Sequence, residues 1–133
     1  MPIKVCLAGA TGWAGSALAR GIAQSEDLFL AAAVSRSQAG KSLGEVLAEP
    51  RLSCPIYATT QEALSRQVCD VFFDYTKPEA AKANCLAALQ HGAHVVIGTS
   101  GLTDSDYADL AQAAEQSQLG VLAVGNFAIT VVL

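Results

Sequence analysis

Residues 3–15 have the sequence IKVCLAGATGWAG, in which an apolar run leads directly into a turn that contains three glycines. Gly9 suits a tight turn that a residue with a Cβ atom would resist. Gly12 leaves room for the backbone to approach a pyrophosphate, and Gly15 permits close packing of a helix on a strand. Free N–H groups at the start of the following helix would face the phosphates. The stretch predicts a dinucleotide-binding turn, with a purely structural glycine turn as the alternative.

Beyond this turn, short apolar runs alternate with helical patterns, as is typical of a parallel sheet with helices on both faces. Segment 36–55 has no clear period and predicts a long loop with one helical turn near residues 43–48. We therefore predict one Rossmann-like, doubly wound α/β domain with three layers, α/β/α. Its strands are expected at 3–8, 28–35, 56–57, 71–74, 94–97 and 121–124, and its helices at 13–24, 61–66, 78–91 and 104–118.

The composition bounds the possible partners. A chain of 133 residues can bury the core of one domain without metal or disulfide crosslinks. The net charge of −4 and the scattered eight Lys and Arg residues argue against a nucleic-acid or anionic-membrane surface. The chain shows no membrane-spanning stretch and starts without the apolar segment of a signal peptide. We expect a cytoplasmic protein with no nucleic-acid or membrane partner.

The cysteines and histidines do not form a metal-ligand pattern. Cys6, Cys54, Cys69 and Cys85 lie far apart in the sequence, so buried free thiols are expected. The pair at 91 and 94 has no carboxylate or cysteine at ligand spacing, and no metal site is predicted.

Ligands of open parallel sheets bind beyond the carboxyl ends of the strands. The second predicted strand ends in Ser35, Arg36 and Ser37, where NAD-selective domains usually offer an acid to the ribose. No acid is present, and Arg36 would attract the 2'-phosphate of NADP. We predict that NADPH is preferred over NADH, with a solvated surface arginine as the alternative.

Other strand ends carry further candidates. Thr76 and Lys77 could line the phosphate–ribose part of the cofactor, with capping of the next helix alone as the alternative, and the two roles are compatible. The GTSG stretch at 98–101 lets backbone approach a ribose or nicotinamide ring, and the amide of Asn126 suits a carboxamide. Asp74 is expected to cap a neighbouring turn rather than act as a base. No catalytic residue is predicted, since the cofactor itself supplies the reducing equivalent.

Three motifs, DYTKPE at 74–79, VIGTSGL at 96–102 and GNFA at 125–128, follow the glycine turn in order. With them the chain resembles the N-terminal, cofactor-binding domain of the 4-hydroxy-tetrahydrodipicolinate reductases of the diaminopimelate route to lysine. The resemblance implies NAD(P)H-dependent reduction of a cyclic dicarboxylate, with substrate binding and homotetramer assembly supplied by a C-terminal domain. On matching positions it implies cofactor contacts from Gly9, Ala10, Thr11, Gly12, Trp13, Ala14, Ser35, Arg36, Gly98, Thr99, Ser100, Val124, Gly125, Asn126 and Phe127.

Two positions depart from the family pattern, because Trp13 replaces a usual arginine and Ser35 replaces a frequent acid. Segments 9–12 and 35–41 are also similar to the NADP domain of N-acetyl-glutamyl-phosphate and aspartate-semialdehyde reductases. A stand-alone nucleotide-binding module without catalysis is a third possibility. The uncharged segment 119–133 ends in an apolar run. We therefore expect a substrate and tetramerisation domain to be absent from this chain.

Overall fold

A computed structural model describes residues 2–124 in full and residues 129–132 as backbone. The predicted six strands, four helices and helical turn are all present, with ends that agree to within one residue. The strands are β1 Ile3–Ala8, β2 Leu28–Val34, β3 Ile56–Tyr57, β4 Val71–Asp74, β5 His94–Ile97, β6 Val121–Val124 and β7 Ile129–Val132. The helices are α1 Trp13–Ala23, α2 Leu43–Leu47, α3 Thr60–Arg66, α4 Pro78–Gln90 and α5 Asp104–Ser117.

The strands form one sheet in the order β3-β2-β1-β4-β5-β6-β7. Strands β1 to β6 pair in parallel, which confirms the predicted doubly wound fold. The chain builds outward from β1 to β3 on one side and then returns to lay β4 against the other side of β1. This reversal opens a crevice above the carboxyl ends of β1 and β4, where ligands of such sheets bind.

Strand β7 departs from the expected all-parallel sheet, because it pairs antiparallel with β6. Only four residues separate β6 from β7 in the sequence. A crossover between parallel strands needs a dozen or more residues. A connection as short as this one therefore permits only an antiparallel neighbour.

Helices cover both faces of the sheet, which confirms the three layers. On one face α3, α4 and α5 pack on the sheet through buried residues that include Leu64, Cys85 and Leu110. On the other face α1 and α2 pack through residues that include Ile22 and Leu43. No helix within residues 2–124 combines the length and the apolar character needed to cross a membrane.

Segment 36–55 is a structured connection rather than an open loop. The N–H groups of Gly40 and Leu43 donate to the carbonyls of Ile56 and Cys54, at 2.9 and 3.0 Å. Leu43 is fully buried and anchors the short helix α2 in the core. The Ser35–Ser37 stretch, where this segment leaves β2, therefore lies beside β3, and the N–H of Ser35 donates to the carbonyl of Tyr57 at 3.0 Å.

All four cysteines are buried and free, as predicted. Burial raises the pKa of Cys54 to about 11. Burial also raises the pKa of Cys85, with a further contribution from the nearby charge of Asp74. The interaction between the Cys6 and Cys69 thiols lowers the pKa of Cys69 and raises that of Cys6, and the Cys69 thiol donates a hydrogen bond to the carbonyl of Gln67 at 3.7 Å. Of the four thiols, Cys69 is thus the one whose pKa is lowered, so it ionises most readily.

Alkylation with iodoacetamide at pH 8 should follow this order of pKa values. We expect Cys69 to be labelled first, while Cys54, with about one thousandth of its thiol ionised at that pH, stays largely unmodified. Mass spectrometry of peptides from a time course measures the order. All four thiols should react at similar rates in concentrated urea, and equal native rates for Cys54 and Cys69 would contradict the expectation.

Helix α5 begins with a capping box. The N–H of Asp106 donates to Thr103 Oγ1 at 3.1 Å, and the N–H of Thr103 donates to Asp106 Oδ2 at 3.0 Å. The Thr103 hydrogen bond holds the pKa of Asp106 below its usual range. We expect Thr103→Val to lower the free energy of unfolding by about 1 kcal/mol, because one helix N–H loses its acceptor.

Urea denaturation followed by circular dichroism measures this loss. Ser105→Ala is the control, since Ser105 is an exposed serine in the same helix, and it should change stability by less than about 0.5 kcal/mol. Equal midpoints for the two variants would show that the cap contributes nothing.

Candidate functional site

The glycine turn leaves β1 at Gly9, where the backbone adopts φ +80°. A Cβ atom at Gly9 would lie 2.1 Å from the carbonyl oxygen of Tyr75, the residue that follows β4. Both the positive φ and this contact require glycine. The predicted tight turn is confirmed, and it brings the ends of β1 and β4 together at the crevice.

Internal packing excludes a side chain at Gly15 but not at Gly12. A Cβ atom at Gly15 would lie 1.9 Å from the carbonyl oxygen of Gly9, so α1 rests directly on the turn, as the sequence predicts. At Gly12 the backbone has an ordinary φ of −74°, and the nearest atom to a Cβ would be Gly9 O at 3.4 Å. The protein itself therefore leaves room for a side chain at Gly12, on the exposed side of the turn.

The N-terminus of α1 offers free backbone donors beside the exposed Gly12. Gly12 is its N-cap and supplies no side-chain acceptor, whereas Thr59 and Thr103 cap α3 and α5 with their hydroxyls. No acidic residue lies in the first turn of α1. The first N–H groups of the helix and its positive dipole end therefore point outward without a competing carboxylate, as an anion site requires.

Hydroxyl groups connect the turn to the end of β2. Thr11 Oγ1 lies 3.2 Å from Ser35 Oγ, and Ser35 Oγ lies 3.4 Å from Ser37 Oγ. Two of the predicted site segments are thus in contact, although 24 residues separate Thr11 from Ser35. Ala10, between the turn glycines, is fully buried, so only its backbone can face a ligand.

A cleft of about 570 Å³ opens at the carboxyl ends of β2, β3 and β4. Ser35, Arg36, Thr76 and Lys77, all predicted as cofactor contacts, line this cleft together with the turn residue Gly9. Its complete lining is Gly9, Val34, Ser35, Arg36, Ser37, Ala58, Thr59, Thr60, Thr76, Lys77, Ala80 and Asn84.

The charges of the cleft are one-sided. Arg36 and Lys77, both exposed, are its ionisable side chains, and none of the described lining residues is acidic. They stand at the ends of β2 and β4, on opposite sides of the turn that follows β1. The rim of the cleft is therefore suited to a phosphate group.

The buried carboxylate of Asp74 fixes the end of β4. It accepts hydrogen bonds from Thr99 Oγ1 at 2.6 Å, from Thr76 Oγ1 at 3.0 Å and from Asn84 Nδ2 at 3.2 Å. Asp74 is fully buried and satisfied by these three neutral donors. It ties together β4, α4 and the end of β5, and it is too enclosed to act as a base. The expected capping of a neighbouring turn is not what the described hydrogen bonds show, because all three donors are side chains.

This network modifies two predicted contacts. The Thr99 hydroxyl donates its proton to Asp74 and accepts from the N–H of Thr76 at 2.9 Å. Because Thr99 is also buried, a ligand contact from it is expected from its backbone. The Thr76 hydroxyl bonds Asp74 instead of capping α4, whose N-cap is Lys77 with no side-chain hydrogen bond. Capping by Thr76, one of the two sequence-based alternatives, is therefore wrong, while its place in the cleft stands.

Gly98 lies at the end of β5, where the sequence suggested an approach of ribose or nicotinamide. A Cβ atom there would lie 2.2 Å from Cε1 of the Tyr75 ring. The aromatic ring of Tyr75 thus accounts for this glycine, and a cofactor contact at Gly98 stays a prediction.

The remaining candidates lie outside the cleft lining. Trp13, Ala14 and Ser100 are exposed, with 95% of Trp13 accessible, and Val124 is partly buried at the end of β6. Gly125, Asn126 and Phe127 lie outside the described residues. Contacts from these positions to a cofactor stay predictions.

Sequence reasoning missed Thr60 and Asn84 as cleft residues. Thr60 follows β3, a strand of only two residues, and ligand groups are expected at its carboxyl end as at those of the longer strands. Asn84 lies in the second turn of α4, where only packing on β4 and β5 brings it to the cleft. Within the described residues, no group of three or more His, Cys, Asp or Glu side chains is placed to hold a metal ion.

Comparison with known proteins gives one consistent picture. A family model described as "Dihydrodipicolinate reductase, N-terminus" matches residues 3–127. The 4-hydroxy-tetrahydrodipicolinate reductase of Thermosynechococcus vestitus is 35% identical over 99% of this chain and 49% of its own length. That of Geobacillus kaustophilus is 32% identical over 100% of this chain and 50% of its own length.

A solved structure agrees with these relatives. The dipicolinate-bound dihydrodipicolinate reductase from Paenisporosarcina sp. TG-14 is 26% identical, has a TM-score of 0.77 and is matched over 93% of this chain and 47% of that one. The chain spans about half the length of the relatives that it matches.

The two helix-proximal glycines should respond differently to alanine. Gly15→Ala places Cβ against Gly9 O and should lower the free energy of unfolding by at least about 2 kcal/mol. Gly12→Ala meets no atom closer than 3.4 Å and should change it by less than about 1 kcal/mol. Urea denaturation of both variants measures the contrast, and equal losses would mean that α1 does not rest on the turn as described.

Proposed function

Since this chain belongs to the family of dihydrodipicolinate reductase N-terminal domains, we propose that it binds a nicotinamide dinucleotide for a reductase reaction. The observation that carries the proposal is that Gly12 has no side chain although one would fit there. Neither backbone conformation nor internal packing requires glycine there. A ligand group in contact with the backbone would explain why residue 12 has no side chain. Because the N-terminus of α1 is uncapped, that group would be an anion such as a pyrophosphate.

The adenosine half of the dinucleotide would occupy the cleft at the ends of β2, β3 and β4. Arg36 and Lys77 supply two positive charges, and no described lining residue would repel a 2'-phosphate. The hydroxyls of Ser35 and Ser37 add further donors beside Arg36. These features support a preference for NADPH over NADH.

The nicotinamide end would extend from Gly12 across the ends of β4 and β5, toward segments 98–100 and 124–127. When bound, the cofactor supplies a hydride to an electron-poor carbon of the substrate. Residues of this chain position the dinucleotide, and the Asp74 network keeps the strand ends rigid beneath it. We propose that the substrate of the full-length protein is a small cyclic dicarboxylate and that a further domain binds it.

The family match over residues 3–127 favours this reductase over the two alternatives. A stand-alone nucleotide-binding module would share the same cleft but lack the hydride transfer. A homotetrameric full-length protein in the cytoplasm is part of the proposal, and buried, unpaired thiols fit such a reducing compartment.

Titration calorimetry with NADPH and NADH tests cofactor binding and its selectivity. The 133-residue chain should bind NADPH more tightly than NADH. Arg36→Ala should weaken NADPH binding by about 10-fold to 100-fold through loss of a charge-assisted hydrogen bond, and it should leave NADH binding within about threefold. Gly12→Ala should weaken both cofactors alike, since the pyrophosphate is common to them.

Arg66→Ala is the matched control, because it removes an exposed arginine that does not line the cleft. It should leave both affinities unchanged. Tighter binding of NADH than NADPH by the unaltered chain, or equal losses of both in Arg36→Ala, would contradict a 2'-phosphate contact at Arg36.

A further inference from the structure

The hydroxyl of Thr60 is a buried polar group without a hydrogen-bond partner in the described part of the chain. Thr60 is 3% exposed and lines the cleft. Leaving a buried hydroxyl unsatisfied lowers stability, and such groups are rare in native proteins. A valine of the same shape would avoid this cost, so the hydroxyl calls for another explanation.

Helix capping does not explain the hydroxyl. Thr60 is the first residue of α3, but the capping role belongs to Thr59, whose Oγ1 accepts from the N–H of Glu62 at 3.1 Å. The hydroxyl of Thr59 thus has a hydrogen-bond partner within the protein, whereas that of Thr60 has none in the described part of the chain.

The position of Thr60 in the cleft indicates which ligand group it would meet. The charged side chains Arg36 and Lys77 are exposed at the rim, whereas Val34 and Thr60 are buried. Ala58 and Ala80 add partly buried apolar surface to the wall. A flat, largely apolar ring with polar atoms at its edge fits such an interior, while phosphates fit the rim.

We infer that the Thr60 hydroxyl forms a hydrogen bond with the purine base of the bound dinucleotide and contributes to its selection. This inference rests on the proposed binding of a nicotinamide dinucleotide. It gives the end of β3 a side-chain contact with the ligand, beside the contacts proposed from the ends of β1, β2 and β4. A hydroxyl both donates and accepts, so it can pair with a ring nitrogen or with the exocyclic amine.

The Thr60→Val variant separates this role from a structural one, because ligand affinity and ligand-free stability should move in opposite directions. By calorimetry, NADPH and adenosine 2',5'-bisphosphate should each bind about 5-fold to 10-fold more weakly. Without ligand, the midpoint of thermal unfolding should rise by about 2–5 °C, since an unsatisfied buried hydroxyl is gone. A merely structural hydroxyl would not produce this combination.

Thr103→Val is the matched control, with the same substitution at a hydroxyl remote from the cleft. It should lower the unfolding midpoint and leave both affinities unchanged. If Thr60→Val does not fold, the pair Thr60→Ser and Thr60→Ala makes the same test, with serine retaining affinity and alanine losing it.

Three results would overturn the inference about Thr60. They are unchanged affinities in Thr60→Val, a lowered unfolding midpoint together with lowered affinity, and a loss for NADPH that the bisphosphate does not share. In each case the unaltered chain still binds NADPH, so the proposed function survives. If the unaltered chain binds neither ligand, the proposed function fails and the role of Thr60 fails with it.

Discussion

The site depends on three backbone segments that meet at Gly9 and leave no room for a side chain between them. The Gly9 backbone lies against the carbonyl of Tyr75 on one side and supports Gly15 of α1 on the other. Strands β1 and β4 and helix α1 therefore meet at one point, with no room for a Cβ atom at either glycine. This contact sets the depth of the crevice and aims the N-terminus of α1 at it.

A second constraint acts beside the first, through the buried carboxylate of Asp74. Its three donors come from the turn after β4, from α4 and from the end of β5. Burying a charged group is costly unless donors surround it, and here each donor belongs to a different part of the crevice. The same hydrogen bonds that stabilise Asp74 connect these three parts of the crevice to one another without a ligand.

These constraints give the site two different halves. At α1 the backbone alone, with Gly12 left open, offers donors to an anion that every dinucleotide carries. In the cleft, side chains distinguish among ligands, with Arg36 and Lys77 at the rim and Thr60 in the interior. The contact common to all dinucleotides and the contacts that distinguish among them thus come from different strand ends. A substitution at one end can therefore alter one kind of contact without altering the other.

The order and type of the elements follow from the sequence, because apolar periodicity and glycine placement are local properties of the chain. The turn at Gly9, the bounds of β1 to β6 and the free, buried cysteines belong to this class. Arg36 and Lys77 as cleft residues also follow from it, since both come directly after a strand. The family motifs at 74–79 and 96–102 specified the family, which the comparisons then showed.

Other features were decided by the tertiary structure, because they depend on distances between residues far apart in the chain. Strand register places Thr99 on Asp74 and the ring of Tyr75 on Gly98, so that hydroxyl and glycine have structural reasons that no local pattern shows. The short link after β6 turns the edge strand antiparallel. Packing brings Thr60 and Asn84 into the cleft beside Arg36. The sequence by itself determined which residues end each strand, and the sheet decided which of those ends meet, because pairing and packing act across the chain.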